Sequence, residues 1–482
     1  MKKLILIHGA LGNASEFDTV IPYLDQFFEV VCYEIPHHGN KKDTTVPFNI
    51  EAIVDDFLTF LEKEGKAVVY GFSLGGYLAF AAAQQDPKNI EGIITQGTKF
   101  DWSPAQASIE IQRIEINTLQ ESVPQFYDYL LTTHGTYLPT LVKKTSAFME
   151  ALGHSPVINQ DRLRHLSIPT RITRGGKDRM VSQSESIAIA KALPKGHYFE
   201  VPSMIHPIGF INPKNIARLI KVQYQSMDYH WVDTQYGSIA YQRIGVIDQA
   251  SPVLLFLHEA LGSIAQWKNF PKKVSEVLNL PGIVLELPGY GFSSEDPKIR
   301  DHRYLHDFSL NVLPAFIHEV LANREIIIIG HSDGGTNALL YASAYPEKIK
   351  GIVTMAAHYM NERETRAGIR PAIDAFEAGK LKGLEYYHGS KTEHLFYNWG
   401  QTWLNEDFKH WNISDDIRGM NTPALIIQGK NDQYGTDQQV QGIADLINSA
   451  QVSLIDDCGH TPHLEQSDSV ITTIRKWKEN LN

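Results

Sequence analysis

The chain has 482 residues, of which 43% are hydrophobic, 10% aromatic and 21% charged, and its formal net charge is −11. This length predicts two domains with sizeable cores, and the acidic balance argues against nucleic acid or an anionic membrane as a partner. Two cysteines, Cys32 and Cys458, exclude a disulfide framework and make a cysteine-based metal site improbable. Because no stretch is apolar for the length of a membrane span, we expect a cytoplasmic protein. We also expect no metal or other cofactor.

Short apolar runs bounded by polar or turn residues predict buried parallel strands, and they recur in the same order in each half. The predicted strands of the first half are residues 4–7, 30–33, 67–70, 92–95 and 170–174. Those of the second half are residues 253–257, 283–287, 326–329, 351–355 and 424–428. Helices are predicted between them at residues 50–64, 76–85, 305–321 and 335–344. The alternation predicts an α/β fold that occurs twice, each time with a mostly parallel sheet flanked by helices.

Two helical segments rich in aromatic residues, about 101–165 and 359–418, interrupt this alternation. Each is too long for a loop in a compact domain and therefore predicts a helical cap over the carboxyl edge of its sheet. The second half also opens with residues 229–242, which predict an antiparallel hairpin that the first half lacks. We place domain 1 at residues 1–225 and domain 2 at residues 226–482, and we expect the two domains to pair within the chain.

Two serines lie in the same unusual setting. Ser73 is the centre of Gly-Phe-Ser-Leu-Gly and Ser332 is the centre of Gly-His-Ser-Asp-Gly, and each follows a predicted buried strand and precedes a predicted helix. A turn this tight accepts only glycine on both sides of the serine, and it lifts the hydroxyl clear of the sheet. Two such matches in the required strand, turn and helix context predict two nucleophile sites.

Further landmarks repeat in the same order in both halves. Four pairs correspond: His8-Gly-Ala-Leu-Gly with His258-Glu-Ala-Leu-Gly, Glu34 with Glu286, Asp178 with Asp432, and His206 with His460. Each of these aspartates precedes its histidine by the same number of residues. The repeat indicates a tandem duplication of one fold.

The order serine, aspartate, histidine after a Gly-x-Ser-x-Gly turn resembles the α/β-hydrolase superfamily, and the resemblance covers essentially the whole chain, twice. The second half is similar to the cap-bearing group that includes carboxylesterases, enol-lactonases and meta-cleavage carbon–carbon hydrolases. The resemblance implies a nucleophile, an orienting acid and a base in each half. In chain order these are Ser73, Asp178 and His206, and then Ser332, Asp432 and His460.

The same resemblance implies an oxyanion hole in each half, made by two backbone N–H groups. One group follows the serine, at Leu74 or Asp333, and the other lies in the turn after the first core strand, at Ala10 or Ala260.

Structural roles for these side chains stay open. Either serine could be a small residue at a turn, and Asp178 could be a helix N-cap. His206 could be a packing residue, because bulky residues precede it where a cysteine and a glycine precede His460. Two carboxylates beside the second serine, Glu259 and Asp333, either face solvent or face the pocket, where they would disfavour anionic substrates.

Aromatic residues of the caps either pack the cap helices onto the core or line an acyl pocket. They are Trp102, Phe126, Tyr127, Tyr129, Tyr137 and Phe148 in the first cap, and Tyr386, Tyr387, Phe396, Tyr397, Trp399, Trp403, Phe408 and Trp411 in the second. We expect most of them to pack and the remainder to line a pocket for a small-molecule acyl substrate.

The sequence therefore predicts a serine hydrolase that cleaves a carboxylic ester, lactone or thioester of a small hydrophobic acid through an acyl-enzyme. One alternative is hydrolysis of a carbon–carbon bond in a vinylogous diketone, and another is acyl transfer to an acceptor other than water. In a further alternative only the second half is catalytic, and the first is a pseudoenzyme that stabilises it.

Overall fold

The fold is described from a computed structural model of the chain, which covers residues 1–247, 251–322 and 324–481. The chain divides into two compact units, Met1–Met227 and Asp228–Asn482. Within the described residues, no helix combines the length and the apolar character needed to cross a bilayer.

Parallel strands build the sheet of the first unit. In chain order they are β1 Lys2–Ile7, β2 Phe28–Tyr33, β3 Ala67–Phe72, β4 Ile90–Gln96, β5 Thr170–Gly175 and β6 Gly196–Val201. Side by side their order is β2, β1, β3, β4, β5, β6. The side chains from Leu4 to Ile7 have no exposed surface, because helices cover both faces of the sheet. This burial on both faces explains why β1 has a continuous apolar sequence instead of an alternating one.

Helices connect these strands and form the predicted cap. They are α1 Ile50–Glu64, α2 Leu74–Gln85, α3 Pro104–Ile114, α4 Ile116–Ser122, α5 Pro124–His134, α6 Leu138–His154, α7 Gln160–Leu163, α8 Gln183–Ala192 and α9 Pro213–Ser226. The side chain of Asn49 caps α1 by accepting a hydrogen bond from the backbone N–H of Ala52, and α1 ends before Gly65. Helices α3 to α7 lie between β4 and β5 along the chain, in the segment predicted as the first cap.

The second unit has a larger mixed sheet. Its strands are β7 Tyr229–Thr234, β8 Gly237–Ile244, β9 Val253–Leu257, β10 Gly282–Leu285, β11 Ile326–His331, β12 Ile349–Met355, β13 Ala424–Gly429 and β14 Ala450–Ile455. Their order across the sheet is β14, β13, β12, β11, β9, β10, β8, β7. The predicted hairpin is confirmed: β7 and β8 are antiparallel to each other, and β8 is antiparallel to β10. The strands from β9 onward are parallel, as predicted.

Helices of the second unit are α10 Phe270–Leu278, α11 Tyr304–Asp307, α12 Leu313–Val320, α13 Asp333–Ala344, α14 Arg363–Glu377, α15 Glu385–His388, α16 Thr392–Leu404, α17 Ser414–Ile417, α18 Asp437–Leu446, α19 Pro462–Glu465 and α20 Ser467–Glu479. The predicted helical stretch over residues 305–321 is confirmed, and within it a π-helical segment, Phe308–Val312, separates α11 from α12. Pro314 lies in the first turn of α12 and has no N–H to donate to the preceding turn. That missing hydrogen bond allows the wider π turn.

Both serines sit at the same strained turn between a central strand and a helix. Ser73 has φ 50° and ψ −116°, and Ser332 has φ 51° and ψ −118°. A residue with a side chain pays about 1–3 kcal/mol for such a conformation. The turn is fixed to the neighbouring strand, since the Ser73 N–H donates to the Gln96 carbonyl at 2.9 Å and the Ser332 N–H donates to the Met355 carbonyl at 2.8 Å.

Glycine is required after each serine because the helix starts against the backbone of the first core strand. A Cβ at Gly75 would lie 2.5 Å from the Ile7 carbonyl oxygen and 2.7 Å from that of His8, and a Cβ at Gly334 would meet the carbonyl of Leu257. The helices α2 and α13 accordingly begin directly after the serines, two residues earlier than predicted.

We predict that Gly75→Ala lowers the free energy of unfolding by about 1–3 kcal/mol, because neither carbonyl can move without shifting β1. The measurement is urea unfolding of the intact chain. Gly209→Ala is the matched control, since a Cβ at Gly209 meets nothing within 4 Å, and it should unfold as the wild type does. Equal stability of the two variants would contradict this account of the turn.

Candidate active sites

In the second unit the three predicted side chains lie in a hydrogen-bonded row. The Ser332 hydroxyl lies 3.0 Å from Nε2 of His460, and Nδ1 of His460 lies 2.9 Å from each carboxylate oxygen of Asp432. Backbone and side-chain donors hold the aspartate: the Tyr434 N–H at 2.8 Å and the Gln428 amide at 3.1 Å. Burial raises the pKa of Asp432, but the hydrogen bond and charge of His460, together with the Tyr434 N–H, outweigh burial and lower the pKa below its usual value. The carboxylate is therefore ionised, as an acid that orients an imidazole must be.

In the first unit two of the three side chains are joined. Nδ1 of His206 lies 2.8 Å from Oδ2 of Asp178, whose other oxygen accepts the N–H groups of Met180 and Val181. Asp178 thus binds both the histidine and its own loop, but it is not a helix N-cap, because Ser182 caps the following helix, α8. Ser73 and His206 line one cavity, but no hydrogen bond joins them among the residues that the structure describes.

The loop that carries His206 follows the same path as its counterpart. The Lys177 N–H donates to the Met204 carbonyl at 3.0 Å, as the Asn431 N–H donates to the Cys458 carbonyl at 2.8 Å. The bulky residues before His206 do not divert this path, because Met204 is buried in the core and the Ile205 side chain points outward.

Each candidate oxyanion pair lies around the same cavity as its serine. Ala10 and Leu74 line the cavity at Ser73, and Ala260 and Asp333 line the one at Ser332. Leu74 and Asp333 are the first residues of α2 and α13, where backbone N–H groups have no acceptor within the helix. Such groups are free to donate to an oxygen in the cavity.

A histidine supports each oxyanion turn, His8 in the first unit and His258 in the second. Nδ1 of His8 contacts the Gly9 carbonyl at 2.8 Å, and Nε2 accepts the Ile35 N–H at 3.1 Å. His258 makes the equivalent contacts with the Glu259 carbonyl and the Leu287 N–H. The ring thus ties the turn to the chain that follows the next strand.

Two charged side chains distinguish the second site from the first. Nδ1 of His331 lies 3.2 Å from Oε2 of Glu259, and Nε2 of His331 lies 2.7 Å from the carbonyl oxygen of His460. Because a carboxylate and a carbonyl oxygen only accept hydrogen bonds, both ring nitrogens must carry protons and His331 is an imidazolium. The sequence left the direction of Glu259 open. The structure places Glu259 against the pocket and joins it through His331 to the backbone of His460.

The pKa values of the pair shift as this geometry requires. Burial lowers the pKa of His331, but the hydrogen bond and the charge of Glu259 outweigh burial and raise the pKa above its usual value. Burial likewise raises the pKa of Glu259, and His331 more than reverses this effect. In the first unit the corresponding residues are Gly9 and Phe72, and a Cβ at Gly9 would lie 2.9 Å from the Phe72 ring. A side chain at the position of Gly9 therefore requires a ring smaller than phenylalanine at the position of Phe72.

A second carboxylate, Asp333, also lies against the pocket instead of facing solvent. Its Oδ2 accepts the Tyr304 hydroxyl at 2.7 Å, and that hydroxyl accepts the indole N–H of Trp403 at 2.8 Å. Burial raises the pKa of Asp333 to about 6, despite the opposing effects of the Tyr304 hydrogen bond and of the nearby Arg300 guanidinium.

The cap aromatics divide as expected into packing and lining residues. Trp102 and Phe148 line the first cavity, and Trp399 and Trp403 line the second. The remaining first-cap aromatics pack around a separate small core, and Phe396, Phe408 and Trp411 are buried in the main core of the second unit. The cavities measure about 480 and 550 Å³, counting the space open to solvent. Sequence reasoning missed Lys99 and His358, although they hold equivalent positions in the two units. Each follows a strand, and the interval along the chain from the serine to this residue is the same in both units.

We predict that Glu259→Gly and His331→Phe each lower the free energy of unfolding by about 1–3 kcal/mol, because each leaves a buried charge or a steric conflict. The double variant recreates the pair of the first unit, so it should lose less than the sum of the two. A double-mutant cycle by urea unfolding measures this coupling, and additive losses would contradict it.

The stability difference between wild type and the double variant should also depend on pH. The raised folded-state pKa of His331 means that its contribution is complete below the unfolded-state pKa of about 6.5 and is lost as pH rises through the folded-state pKa. The stability difference between wild type and double variant should therefore narrow toward high pH.

Comparisons with known proteins identify the fold family of the chain. A model of the alpha/beta hydrolase fold matches residues 2–155 and 252–378. An AB hydrolase superfamily protein of Gibberella zeae is 34% identical over 100 residues, which are 20% of this chain and 35% of that protein. The (R)-3-hydroxydecanoyl-ACP:CoA transacylase of Pseudomonas aeruginosa is 26% identical over 144 residues, 29% of this chain and 48% of that protein.

A pimeloyl-[acyl-carrier protein] methyl ester esterase of Neisseria meningitidis is 32% identical over 93 residues, 19% of this chain and 35% of the esterase. The chain thus spans between a third and a half of the length of these three curated relatives. Among solved structures, the enol-lactonase from Burkholderia xenovorans LB400 has a TM-score of 0.43 at 14% identity, covering 52% of this chain and all of the lactonase. Since the family model covers more than half of the residues, in two matching segments, the chain belongs to the alpha/beta hydrolase fold family.

Proposed function

We propose that the protein is a serine hydrolase that cleaves a carboxylic ester, lactone or thioester of a small hydrophobic acid. One observation carries the proposal: Ser332 Oγ lies 3.0 Å from an imidazole whose other nitrogen is bound to a buried carboxylate. A serine hydroxyl needs such a base to act as a nucleophile at neutral pH. The names of two relatives, an esterase and a transacylase, describe reactions at an acyl group and support the same chemistry.

In this mechanism Ser332 Oγ attacks the acyl carbon while its proton passes to Nε2 of His460. Asp432 stabilises the imidazolium, and the N–H groups of Ala260 and Asp333 stabilise the oxyanion. The imidazolium then protonates the leaving oxygen or sulfur, so that the acyl group remains on the serine. A water molecule, deprotonated by His460, then attacks the acyl-enzyme. The bond from the acyl carbon to Ser332 Oγ breaks, the imidazolium returns its proton to that oxygen, and the acid leaves.

We propose the same chemistry at Ser73, with His206 as base, Asp178 as orienting acid and the N–H groups of Ala10 and Leu74 as the oxyanion hole. Catalytic hydrogen bonds often form only once substrate is bound, so the unjoined serine and histidine fit a site that closes on its substrate. The same observation favours a second candidate function, in which only the second unit is catalytic and the first stabilises it.

We predict that a fluorophosphonate probe labels Ser332 faster than Ser73, because only Ser332 is already bonded to its base. Mass spectrometry of the labelled peptides gives both rates. Turnover of short nitrophenyl esters should fall by about 10³-fold or more at the site that loses its serine in Ser332→Ala or Ser73→Ala. Labelling of Ser332 alone would favour the second candidate function, and labelling of neither serine would end the hydrolase proposal.

We predict that the second site disfavours acyl groups that end in a carboxylate, because Asp333 is ionised above pH 6 and lines the cavity. Asp333→Leu, which introduces the residue of the first unit and keeps the backbone N–H, should raise kcat/KM for a carboxylate-bearing ester about 10-fold relative to a neutral one. The assay uses Ser73→Ala protein at pH 8.

The control for this assay is Glu377→Gln, which removes an exposed acid of α14 in the second cap. It should leave the ratio of the two esters unchanged. Wild-type discrimination should also weaken as pH falls through 6, since Asp333 is then protonated. Equal effects of the two substitutions would contradict a local role for Asp333.

A further inference from the structure

The cavity beside Ser73 contains a buried ion pair that the proposed catalytic steps do not use. Lys99 follows β4, Glu110 lies on α3, and both side chains line the cavity. The Lys99 ammonium lies 3.7 Å from Oε1 of Glu110, and the guanidinium of Arg113 donates to the same oxygen at 2.8 Å. Glu110 is only 1% exposed. A buried carboxylate is costly unless its partners compensate for lost water, so its presence here calls for a physical reason.

The second cavity has no such pair at the equivalent positions. His358 follows β12 as Lys99 follows β4, and Ile369 follows His358 by the same interval as Glu110 follows Lys99. Both residues line the second cavity. Burial, together with the nearby His460, lowers the pKa of His358 to about 3, so this imidazole is neutral. An ion pair in the first unit therefore corresponds to a neutral ring and an aliphatic side chain in the second.

Three polar atoms around the first cavity are buried and have no hydrogen-bond partner among the described residues: Oε2 of Glu110, Oγ1 of Thr145 and Nε1 of Trp102. All three residues line the cavity together with Ser73. Buried polar atoms are nearly always bonded, and an unbonded one costs about 1–3 kcal/mol. A carboxylate oxygen, a hydroxyl and an indole N–H left unbonded around one cavity indicate a site that a ligand completes.

The identity of these atoms restricts the ligand. The Glu110 oxygen can only accept a hydrogen bond and the Trp102 indole can only donate one, whereas the Thr145 hydroxyl can do either. A carboxylate has nothing to donate to Glu110, an ammonium has nothing to accept from Trp102, and an alkyl chain does neither. A hydroxyl group both donates and accepts.

We propose that the first cavity binds an acyl group that carries a hydroxyl, which donates to Oε2 of Glu110 and accepts from Thr145 or Trp102. Lys99 and Arg113 hold the other oxygen of Glu110 and neutralise its charge. This assignment rests on the proposed function in one respect, since it places the acyl carbon of the same ligand at Ser73. The two units then differ in substrate, the first taking a hydroxylated acyl group and the second a neutral apolar one.

The test measures binding without turnover, in Ser73→Ala/Ser332→Ala protein, by calorimetry. The ligands are nitrophenyl hexanoates, either plain or with one hydroxyl at each successive carbon of the chain. At least one hydroxylated isomer should bind about 10-fold or more tightly than the plain ester. Its methyl ether, which accepts but cannot donate, should lose that gain.

Two protein variants test the donors. Thr145→Val removes the hydroxyl with little change of shape, and Trp102→Phe removes the indole N–H. Their combination should reduce the preference for the hydroxylated isomer over the plain ester several-fold. Ser146→Ala is the matched control, because this neighbouring hydroxyl on α6 bonds its own helix at the Val142 carbonyl. It should leave the preference unchanged.

Equal affinity for every isomer and the plain ester would overturn the proposal and mean that these atoms bond only to water. Tighter binding of an ester that ends in a carboxylate would also overturn it and assign recognition to Lys99. Hydrolysis by the Ser332→Ala protein separates the two proposals. Hydroxyl-selective binding without hydrolysis at Ser73 would reject only the proposal that the first unit is catalytic. Hydrolysis without a hydroxyl preference would reject only the proposed binding site.

Discussion

A single backbone turn determines where everything else at each site can lie. The serine is held at positive φ by a hydrogen bond to the adjacent strand, and the glycine after it packs against the end of the first core strand. This close approach brings the start of a helix beside the oxyanion turn, so that the candidate N–H donors and the hydroxyl line one cavity. The aspartate and the histidine come from loops after later strands of the same sheet. They can reach the serine only because parallel strands end at a common edge.

The two units differ at their sites through pairs of residues that must change together. A carboxylate in the oxyanion turn of the second unit occurs with His331, where the first unit has glycine beside a phenylalanine ring. An ion pair in the first cavity, Lys99 with Glu110, corresponds to His358 and Ile369 in the second. In the first of these pairs, one member alone would clash or leave a charge without a partner. The fold is thus the same in both units, whereas the charged pairs near the two serines lie at different positions.

Much of this arrangement could be predicted from the sequence, because its signals are local. Continuous apolar runs gave the strands, and glycines around Ser73 and Ser332 located both turns. Contacts between distant segments could not be predicted in this way. The Tyr304 hydroxyl on Asp333 joins the start of α11 to the start of α13, and the bond from His331 to the His460 carbonyl joins a strand end to a late loop. No periodicity specifies such contacts, which depend on how loops pack. The helical stretch before Pro314 was predicted, but its π-helical turns could not be, because apolar spacing does not distinguish them from regular ones.

The nearly identical dihedral angles of Ser73 and Ser332 bear on the history of the first unit. A glycine in place of Ser73 would adopt the same turn without steric penalty, so a domain kept only as support for its neighbour would be more stable with that exchange. After a gene duplication, one copy is ordinarily free to replace such a strained residue. Here both serines keep the strained conformation, so its steric cost is retained in each half of the molecule.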